Sequence, residues 1–542
     1  MTSPPDLLLP CCPNPPRAPL RRMNSHSSCT IFSHTQYPSP SLHRIAGLLA
    51  ALALKKRLGY TNFIVYEKGP EVGGTWRENT YPGCGCDIPS HWYAISSEPN
   101  TNWSRTFSSQ PEILQYLKDV AVRNNLGPFL NFNCKFVSGV WDSTAQHYNI
   151  IIERTHPNGT KTADTTRAQI IISAVGILHH PKMPDIKGLE TFKGDIFHPA
   201  QWRHDVSLEH KKVGVIGNGC SAAQLVPAIT EDPTVDVLNF CRTPSWFLPR
   251  DQREYGEFAR WLFKSVPGLL ALFRALIFFQ SDIKYLLWKQ KFALLRKIAE
   301  MVSRQYVRSK APKEMLAQLY PHYPLGCKRV VFDPGYLSSL HQPNLKLEWD
   351  PIVEIVKDGI VTANGTHHKL DVLIPATGYD LSPNTAPPVT GINGTTIHDY
   401  FLSQGGSTAY RGTTLPGFPN LFILLGPNVS SGHGSVIFAL EVDYIMKMLK
   451  PMLAKNSKIR TIEVDSTATQ KFNDQLQKRM EGTIWTACVS WYQPGTKNVA
   501  MYPGTLTSLW ASMRNPKWKD YIVGKEDDKL TLGTENGRTI EP

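Results

Sequence analysis

Short apolar runs alternate with longer helical segments along much of this chain. Alternation of this kind, with strands completely buried between helices, predicts a parallel, doubly wound α/β sheet. The helix-like segment 46–58 ends at Gly59, a residue typical of helix C-termini. The strand-like runs are 63–66, 170–175, 213–216 and 235–240, and a second helical segment is 221–229.

Strand signals return in the last third of the chain, at 345–349, 371–374 and 421–425. We therefore expect a first nucleotide-binding domain that is interrupted by a second one and then completed. The predicted divisions are 45–180 for the beginning of the first domain, 181–340 for the second domain, and 341–542 for the remainder of the first domain with a C-terminal tail.

Two segments depart from this pattern. Residues 1–44 are rich in Pro and Ser and contain one acidic residue, Asp6, so we expect an atypical, disordered N-terminus and no secretory leader. Residues 256–306 are rich in Leu, Phe and Trp and predict a helical insert in the second domain. Its most apolar stretch, 267–279, is too short to span a bilayer. We interpret the insert as a cover over a pocket; contact of its helices with a membrane surface is the alternative.

Composition narrows the class of protein. The chain has 542 residues, 41% hydrophobic and 19% charged, which is ordinary for a globular protein and excludes a disordered chain or a membrane bundle. The net charge of +13 is interpreted as a diffuse positive surface that favours an anionic cofactor, since no nucleic-acid-binding module is recognisable. The ten cysteines lack zinc-site spacing, and we expect no metal, reduced thiols and a cytoplasmic location.

A glycine-rich turn follows the run at 213–216. The turn is Gly217-Asn218-Gly219-Cys220-Ser221-Ala222, with Ala223 next. The pattern G-x-G-x-x-A between a strand and a helix predicts backbone amides that bind a pyrophosphate. The next strand ends at Arg242-Thr243, where NAD-binding folds usually place an acidic residue for the ribose. Arg242 favours the 2′-phosphate of NADP, so NADPH is predicted over NADH; a plain strand-end cap is the alternative.

The first nucleotide site is anomalous. Gly47 occupies the third glycine position of a G-x-G-x-x-G turn, but Leu42 and Arg44 stand at the first two, and we find no apolar strand directly before them. Glu67, at the end of the following strand, remains in place to bind a ribose hydroxyl. Either residues 1–44 replace the usual strand and turn, or the site is degraded.

Two further patterns are more specific. Residues 192–202 contain Phe192, Gly194, His198 and Trp202 in the spacing F-x-G-x-x-x-H-x-x-x-W, and residues 74–87 follow G-x-W-x-x-x-x-Y-P-G-x-x-x-D. Together they resemble the signatures of Baeyer–Villiger monooxygenases, flavoenzymes that use NADPH and O2 to insert oxygen beside a ketone. The segment 325–336 resembles the family segment with the catalytic arginine, and the resemblance extends from about Gly47 to about Gly504.

The resemblance implies site residues and cofactors, FAD and NADPH. It assigns catalysis to Arg329, which would hold an anionic peroxyflavin and the developing tetrahedral intermediate, with Asp87 as its charge partner. Phe192, Gly194, His198 and Trp202 would form a hinge that couples NADPH binding to domain rotation. The implied FAD-binding residues are Gly47, Glu67, Thr75, Trp76, Asp87, Ile88 and Tyr93. The implied NADP-binding residues are Gly85, Cys86, Asp87, Gly217, Asn218, Gly219, Cys220, Ser221, Ala222, Ala223, Arg242, Thr243, Lys328, Arg329 and Trp491.

Three functions remain open from the sequence. The leading one is oxidation of a ketone, bulky and apolar to match the insert, to an ester or lactone. The second is a flavin monooxygenase that oxidises nitrogen or sulfur, and Arg329 and Trp202 argue against it. Arg203, where the Baeyer–Villiger family commonly has Pro or Asp after the Trp, weakens the case for ketone oxidation. An inactive, FAD-deficient NADP-binding protein is the third, because the first glycine-rich turn is altered.

Overall fold

The computed structural model of the chain describes residues 28–32, 44–176, 180–380, 382–430, 434–493, 495 and 497–526. The helices within these residues are α1 Arg44–Arg57, α2 Thr75–Glu78, α3 Ser90–Tyr93, α4 Gln110–Arg123, α5 Cys220–Thr230, α6 Glu257–Ser265, α7 Leu269–Lys284, α8 Ala293–Lys310, α9 Leu316–Leu319, α10 Tyr336–Ser339, α11 Ile397–Ser403, α12 Gly434–Met452, α13 Ser466–Glu481 and α14 Leu506–Met513.

The strands run in the same chain order. They are β1 Cys29–Phe32, β2 Phe63–Tyr66, β3 Leu130–Asn131, β4 Cys134–Asp142, β5 His147–Thr155, β6 Lys161–Ala168, β7 Ile170–Ser173, β8 Asp195–Ile196, β9 Lys212–Ile216, β10 Asp236–Phe240, β11 Phe247–Pro249, β12 Val331–Asp333, β13 Leu345–Glu348, β14 Ile352–Val356, β15 Gly359–Thr362, β16 His367–Lys369, β17 Val372–Pro375, β18 Val389–Thr390, β19 Leu421–Ile423, β20 Ile459–Val464 and β21 Tyr521–Lys525.

The first nucleotide domain is built on a parallel sheet in the order β19-β7-β1-β2-β3. Its central strands are four-residue apolar runs, and α1 and α12 pack together beside it. The late strand β19 lies at one edge, so the chain returns to this sheet after leaving it for another domain. The predicted interruption and completion of the first domain are therefore present.

The expected absence of the first strand is wrong. Cys29–Phe32 forms β1 in the middle of the sheet, where Cys29 is in register with Phe63 on one side and Ile170 on the other. All four of its residues are buried, so residues 29–32 belong to the core and not to a disordered N-terminus. The structure also describes residue 28 and the backbone of Arg44. The rest of the predicted N-terminal segment, including Leu42 of the altered turn, lies outside the described residues.

A second parallel sheet, in the order β13-β10-β9-β17-β8, forms the other nucleotide domain. The predicted division at residue 341 is wrong, because Leu345–Glu348 pairs with β10 and Val372–Pro375 pairs with β9. These strands look the same in either domain by composition, and only their hydrogen-bonded neighbours separate the two assignments. The antiparallel strands β14, β15 and β16 lie between them in the chain.

The insert is helical, as predicted, and contains α6, α7 and α8. Among the described residues no single helix is long and apolar enough to span a membrane. The segments Glu257–Ser265 and Leu269–Trp288 satisfy that test only as a pair, and they are bent by 101° at the break between them.

The expectation that all thiols are reduced is wrong at one pair. Cys327 and Cys488 form a disulfide with a Cα–Cα distance of 6.0 Å across a sequence separation of 161 residues. Cys327 directly precedes Lys328 and Arg329, so the bond ties this segment to the chain that leads into Trp491. Sequence spacing shows no sign of a bond between residues so far apart.

Candidate active site

Arg329 and Asp87 meet where the two nucleotide domains face each other. The Arg329 guanidinium donates through Nη2 to Oδ2 of Asp87, and the two side chains remain partly exposed, 33% and 25%. Asp87 follows the Y-P-G turn of the first domain, and Arg329 precedes β12 of the second. The residues proposed for catalysis from the sequence are therefore in direct contact.

Electrostatics keep both members of this pair charged. Burial alone would raise the pKa of the Asp87 carboxyl, but Arg329, and then Arg250, lower it below its usual range. The Asp87 carboxylate in turn raises the pKa of the Arg329 guanidinium above its already high ordinary value. The site thus offers a permanent cation beside a fixed anion, with space open to solvent.

Arg250 is a site residue that the sequence analysis missed. Its Nη2 donates to the backbone carbonyl of Cys86 at 2.9 Å, and its guanidinium lies 4.9 Å from the ring centre of Phe107. This bond fixes the backbone immediately before Asp87. Arg250 directly follows β11 and belongs to no motif, so spacing alone could not identify it.

Trp76 and Tyr93, both proposed to line the flavin, are held rigidly. The Trp76 Nε1 donates to the Tyr93 hydroxyl at 2.8 Å, and the rings meet edge to face with centres 5.6 Å apart. Beside them the buried Oγ1 of Thr75 has no hydrogen-bond partner among the described residues. A buried hydroxyl of this kind is costly unless a ligand binds it, so Thr75 fits a flavin group.

The carboxyl edge of the first sheet offers the other requirements of a dinucleotide. Glu67 is buried at the end of β2, and its Oε1 accepts a hydrogen bond from the Gly69 amide at 2.6 Å. A cavity lies at the ends of β7 and β19, and its lining includes Val175, Gly176, Leu425, Gly426 and Pro427. Gly47 lies on α1 where an added Cβ would meet Ala174 at an ordinary 3.6 Å, so packing within the chain does not by itself demand glycine there.

The second glycine-rich turn has the predicted geometry. Gly217 has φ of +111°, and a Cβ there would lie 2.7 Å from the carbonyl oxygen of Ala376, so both its conformation and its packing require glycine. Gly219, the N-cap of α5, has open space where a Cβ would be, which is room for a phosphate. Asn218 Nδ2 donates to the carbonyl of Thr243 at 2.9 Å and joins the turn to the end of β10.

Arg242 and Lys328 approach the same place from different segments. Burial lowers the pKa of the Lys328 ammonium, and the nearby Arg242 guanidinium lowers it further. Lys328 Nζ lies 5.1 Å from the ring centre of Tyr323, and Arg242 is exposed. Two like charges repel unless an anion joins them, so this pair fits the 2′-phosphate of NADP.

Gln224 is a second residue that the sequence analysis missed. From α5 it accepts a hydrogen bond from the Tyr81 hydroxyl at 2.8 Å and donates to the Gly85 carbonyl at 2.9 Å. Gly83, with φ of +78°, packs on the backbone of Gln224 so closely that a Cβ would lie 2.2 Å from its carbonyl oxygen. The Y-P-G turn therefore connects the first domain to α5 of the second, the helix predicted to bind the pyrophosphate.

Of the predicted hinge residues, Phe192 and Trp202 pack in the second domain, and His198 connects through Tyr379 to the first. The His198 ring lies edge-on to Tyr379 with centres 5.9 Å apart, and the Tyr379 hydroxyl donates to Asn79 Oδ1 at 3.1 Å in the segment after Trp76. Burial lowers the pKa of His198 to about 4, so it is neutral at neutral pH. Trp202 packs edge to face on Phe197, and Phe192 is buried before Gly194 and β8.

The remaining predicted residues fall close to this centre. Trp491 is exposed, but its neighbour Tyr492 is buried, and the two rings lie 4.5 Å apart. Burial raises the pKa of Tyr492 to about 12, and Arg329 opposes that shift, so Tyr492 belongs to the surroundings of Arg329 although it was not among the predicted residues. Ile88, Cys86, Ala222 and Ala223 are buried, whereas Gly85, Cys220 and Ser221 are partly exposed. No group of three or more metal-binding side chains occurs among the described residues.

The chain is similar to known nucleotide-binding and flavin-dependent proteins over most of its length. A family model for NAD(P)-binding Rossmann-like domains matches residues 45–109, and one for flavin-binding monooxygenase-like proteins matches residues 94–265. The chain is 34% identical to a Baeyer–Villiger monooxygenase of Streptomyces coelicolor, over 88% of this chain and 90% of that protein. It is 31% identical to a Baeyer–Villiger monooxygenase of Pseudomonas aeruginosa, over 89% of this chain and 92% of that protein.

A solved structure of a related enzyme has the same overall fold as this chain. The structure of cyclohexanone monooxygenase from Rhodococcus sp. Phi1 bound to NADP+ superimposes with a TM-score of 0.77 at 25% sequence identity, covering 90% of this chain and 97% of that one. The similarity thus covers both nucleotide domains and nearly the full length of the known proteins.

Proposed function

Because the chain belongs to the Baeyer–Villiger monooxygenase family, we propose that its own substrate is a bulky, apolar ketone, which it converts to an ester or lactone. It is a flavin-dependent monooxygenase with FAD and NADPH as cofactors and O2 as co-substrate. The observation that carries the ketone reaction is the ion pair of Arg329 and Asp87 between the domains. The apolar insert beside the site supports the size and apolar character of the substrate.

The residues present fit both cofactors. Thr75, Trp76 and Tyr93 would hold the flavin, and Arg242, Lys328 and the turn at Gly217 would hold NADPH. Bound FAD, reduced by NADPH, would activate O2 so that one oxygen atom is inserted and the other leaves as water. The presence of β1 weakens the argument for an FAD-deficient protein, because the strand that precedes the first turn is in place.

Arg329 would act on the ketone through its fixed charge. Insertion of oxygen beside a carbonyl develops negative charge on oxygen, and a guanidinium that never loses its proton stabilises that charge in a partly desolvated site. Asp87 holds the guanidinium in one orientation, and Arg250 fixes the backbone before Asp87. Oxidation of nitrogen or sulfur does not need this cation, so the pair favours the ketone reaction.

The insert supports a bulky substrate through its contact with the segment after Asp87. The His91 ring in α3 is surrounded by Tyr255, Phe263 and Phe273, with ring centres 5.1, 4.5 and 5.6 Å away. Arg274 of α7 donates to the His91 carbonyl. An aromatic cluster of the insert is thus attached to the chain that carries Asp87, and a pocket bounded by this insert would favour an apolar substrate.

A substrate panel tests the proposal. The purified, FAD-loaded protein would be given NADPH with small cyclic, aromatic and steroid-like ketones, and NADPH oxidation would be measured together with ester by mass spectrometry. We expect the bulky apolar ketones to give the highest kcat/KM. Turnover of small ketones alone would overturn the assigned size, and oxidation of sulfides or amines without any ester would overturn the ketone reaction. A protein that binds no added FAD would support the inactive alternative.

We also propose a cytoplasmic location. Cytoplasmic reductants disfavour disulfides, and the burial of Cys327 would slow their reaction with this bond, whose other member Cys488 is half-buried. Cell fractionation followed by immunodetection distinguishes cytosolic, membrane-attached and secreted protein.

A further inference from the structure

The helical insert exposes an unusual amount of apolar surface. More than half of the exposed large hydrophobic side chains among the described residues lie between residues 258 and 302. They include Phe258 (71% exposed), Phe279 (63%) and Leu294 (72%). Soluble proteins rarely leave such a concentration of apolar side chains in water unless it contacts something.

These side chains form stripes with helical spacing. On α7 the exposed residues Leu272, Leu276, Phe279 and Ile283 follow i, i+4, i+7 and i+11, which places them on one face. On α8 the exposed residues Leu294, Leu295, Ile298, Met301 and Val302 follow i, i+1, i+4, i+7 and i+8, which also places them on one face. On α6 the rings of Phe258 and Trp261 are stacked with centres 5.9 Å apart. Each helix therefore turns an apolar face to solvent.

The opposite face of α7 is anchored. Ile277 and Phe278 pack against the core of the first domain, and Arg274 donates to the carbonyls of His91 and Ala94. The Asp282 carboxylate accepts from the Leu506 amide at 2.7 Å at the start of α14. Rotation of α7 to bury its apolar stripe would break these contacts, so the stripe stays exposed in the folded protein.

Charge distinguishes this surface from an ordinary hydrophobic contact. Residues 257–310 contain eleven Lys or Arg and three acids, so this segment supplies a large share of the net charge of +13. Two of the acids, Asp282 and Glu300, accept hydrogen bonds from backbone amides and are engaged within the protein. The lysines at 264, 284, 291 and 297 are exposed beside the apolar stripes.

We propose that the exposed faces of α6, α7 and α8 form a docking surface for a lipid bilayer that contains anionic headgroups. Apolar and aromatic side chains enter the interface, and the long lysine side chains reach the phosphates, which is the pattern of helices that lie on membranes. A protein partner or a second copy of this chain would not need the excess of positive charge, since the chain is itself basic.

The purpose of such docking rests on the proposed function. An apolar ketone partitions into lipid, and α7 bonds directly to the segment Ser90–Ala94 that follows Asp87. Docking would therefore place the lipid phase, and the substrate dissolved in it, against the helices that contact the segment after Asp87. The evidence for docking is independent of turnover, so the two proposals fail separately.

Vesicle co-sedimentation without NADPH or ketone tests the docking surface. The full chain loaded with FAD would be mixed with phosphatidylcholine vesicles, either pure or with phosphatidylserine as a minor component, at low and at high salt. We expect binding to the anionic vesicles at least about tenfold tighter than to neutral ones, weakened by salt.

Two sets of variants make the test specific. Leu276→Ser with Phe279→Ser, and Lys284→Glu with Lys291→Glu and Lys297→Glu, should each weaken vesicle binding about tenfold or more. Val122→Ser with Ile151→Ser removes two exposed apolar side chains outside the insert and should leave binding unchanged. Thermal unfolding and flavin absorbance confirm that each variant is folded.

Three results would overturn the proposal. The first is no binding of the parent protein to anionic vesicles, and the second is equal binding by the parent and all variants. The third is a parent protein that binds no vesicles but forms a dimer, measured by sedimentation, which the variant with Leu276→Ser and Phe279→Ser loses. The last would assign the surface to self-association. If the parent protein binds anionic vesicles but oxidises no ketone, the proposed docking surface stands and only the proposed function is refuted.

Discussion

The Asp87 carboxylate of the first nucleotide domain and the Arg329 guanidinium of the second form an ion pair. Each residue belongs to a segment that also contacts the predicted NADP-binding elements. Asp87 follows the Y-P-G turn that is hydrogen-bonded to Gln224 of α5, and Arg329 follows Lys328, which lies near Arg242. Relative movement of the domains would therefore move Arg329, the cation proposed for catalysis. The distance between the two charges thus depends on how the two domains are positioned.

Replacing Arg329 separates the reductive and oxidative half-reactions. Arg329→Ala should leave flavin reduction by NADPH within about threefold of the parent rate, because hydride transfer does not require this charge. Ester formation should fall by about 100-fold or more, as for loss of a group that stabilises an oxyanion. Stopped-flow absorbance measures the first and chromatography of the ester the second. Arg329→Lys, which keeps a cation without the planar fork, should retain more activity, and undiminished ester in the alanine variant would remove Arg329 from the mechanism.

Replacing Arg242 tests the choice of cofactor. Arg242→Ala should raise the KM for NADPH about 10- to 100-fold, since a charge-assisted hydrogen bond to phosphate is lost, and should hardly change the KM for NADH. Steady-state NAD(P)H oxidation with a fixed ketone gives both values. Arg154→Ala, far away on β5 and paired with Asp164, is the matched loss of charge and should change neither. Equal rises for NADPH and NADH would show that Arg242 does not contact the 2′-phosphate.

Most of the fold was predictable because its strands and helices have strong periodic patterns. The exception in the first domain is β1, Cys29–Phe32, four residues that stand isolated among Pro, Ser and polar residues. Propensity over so short a run is weak, and only pairing with β2 and β7 stabilises it. The membership of Leu345–Glu348 and Val372–Pro375 was missed for a related reason, since sheet partners depend on three-dimensional packing and not on composition.

The site was predictable where residues stand at fixed spacing in a motif, as for Asp87, Gly217 and Arg329. Gln224 and Arg250 support those residues from positions with no motif, and their roles depend on backbone carbonyls of a distant segment. A lone Gln in a helix or Arg in a loop is usually solvated. Contacts of this kind become visible only when the two domains are seen together.

Removing the Gln224 amide tests the connection between the domains. Gln224→Leu keeps the side-chain volume but loses the bonds to the Tyr81 hydroxyl and the Gly85 carbonyl, and should lower the free energy of unfolding by about 1–3 kcal/mol. The KM for NADPH should also rise if α5 binds the pyrophosphate as proposed. Tyr81→Phe removes one of the two bonds and should produce a smaller effect in denaturant titrations. An unchanged midpoint and KM in the leucine variant would mean that the connection has no energetic importance.

Three buried histidines predict acid sensitivity. Burial lowers the pKa values of His91, His180 and His198 to about 4, and in the unfolded chain each has an ordinary value near 6.5. Between these values the unfolded chain binds more protons, so the free energy of unfolding should fall as pH decreases from about 6.5 to about 4, by about 1–3 kcal/mol per histidine. Urea titrations at several pH values measure the slope.

The His198→Asn variant isolates one contribution to that slope. Its amide oxygen replaces Nδ1 as acceptor for the Ala200 amide, a bond of 3.1 Å in the parent, but does not titrate. The slope between about pH 4 and about pH 6.5 should be shallower than in the parent. Identical slopes for the parent and the variant would show that His198 is not protonated on unfolding in this range.

The disulfide between Cys327 and Cys488 should stabilise the chain beside Arg329, the residue proposed for catalysis. It connects the residue before Lys328 to the segment that contains Trp491 and the buried Tyr492. A cross-link between two distant positions restricts the unfolded chain, so Cys327→Ser should lower the unfolding temperature by several degrees. A reductant that opens the bond should lower the unfolding temperature of the parent by a similar amount. The same reductant should not lower the unfolding temperature of the Cys327→Ser variant any further. Cleavage by protease near residues 489–493 should accelerate in both cases. Cys134→Ser, a buried thiol on β4 that forms no disulfide, is the control and should not abolish the response to reductant. A parent protein whose unfolding temperature and cleavage rate do not respond to reductant, and whose mass shows no disulfide under non-reducing conditions, would contradict this assignment.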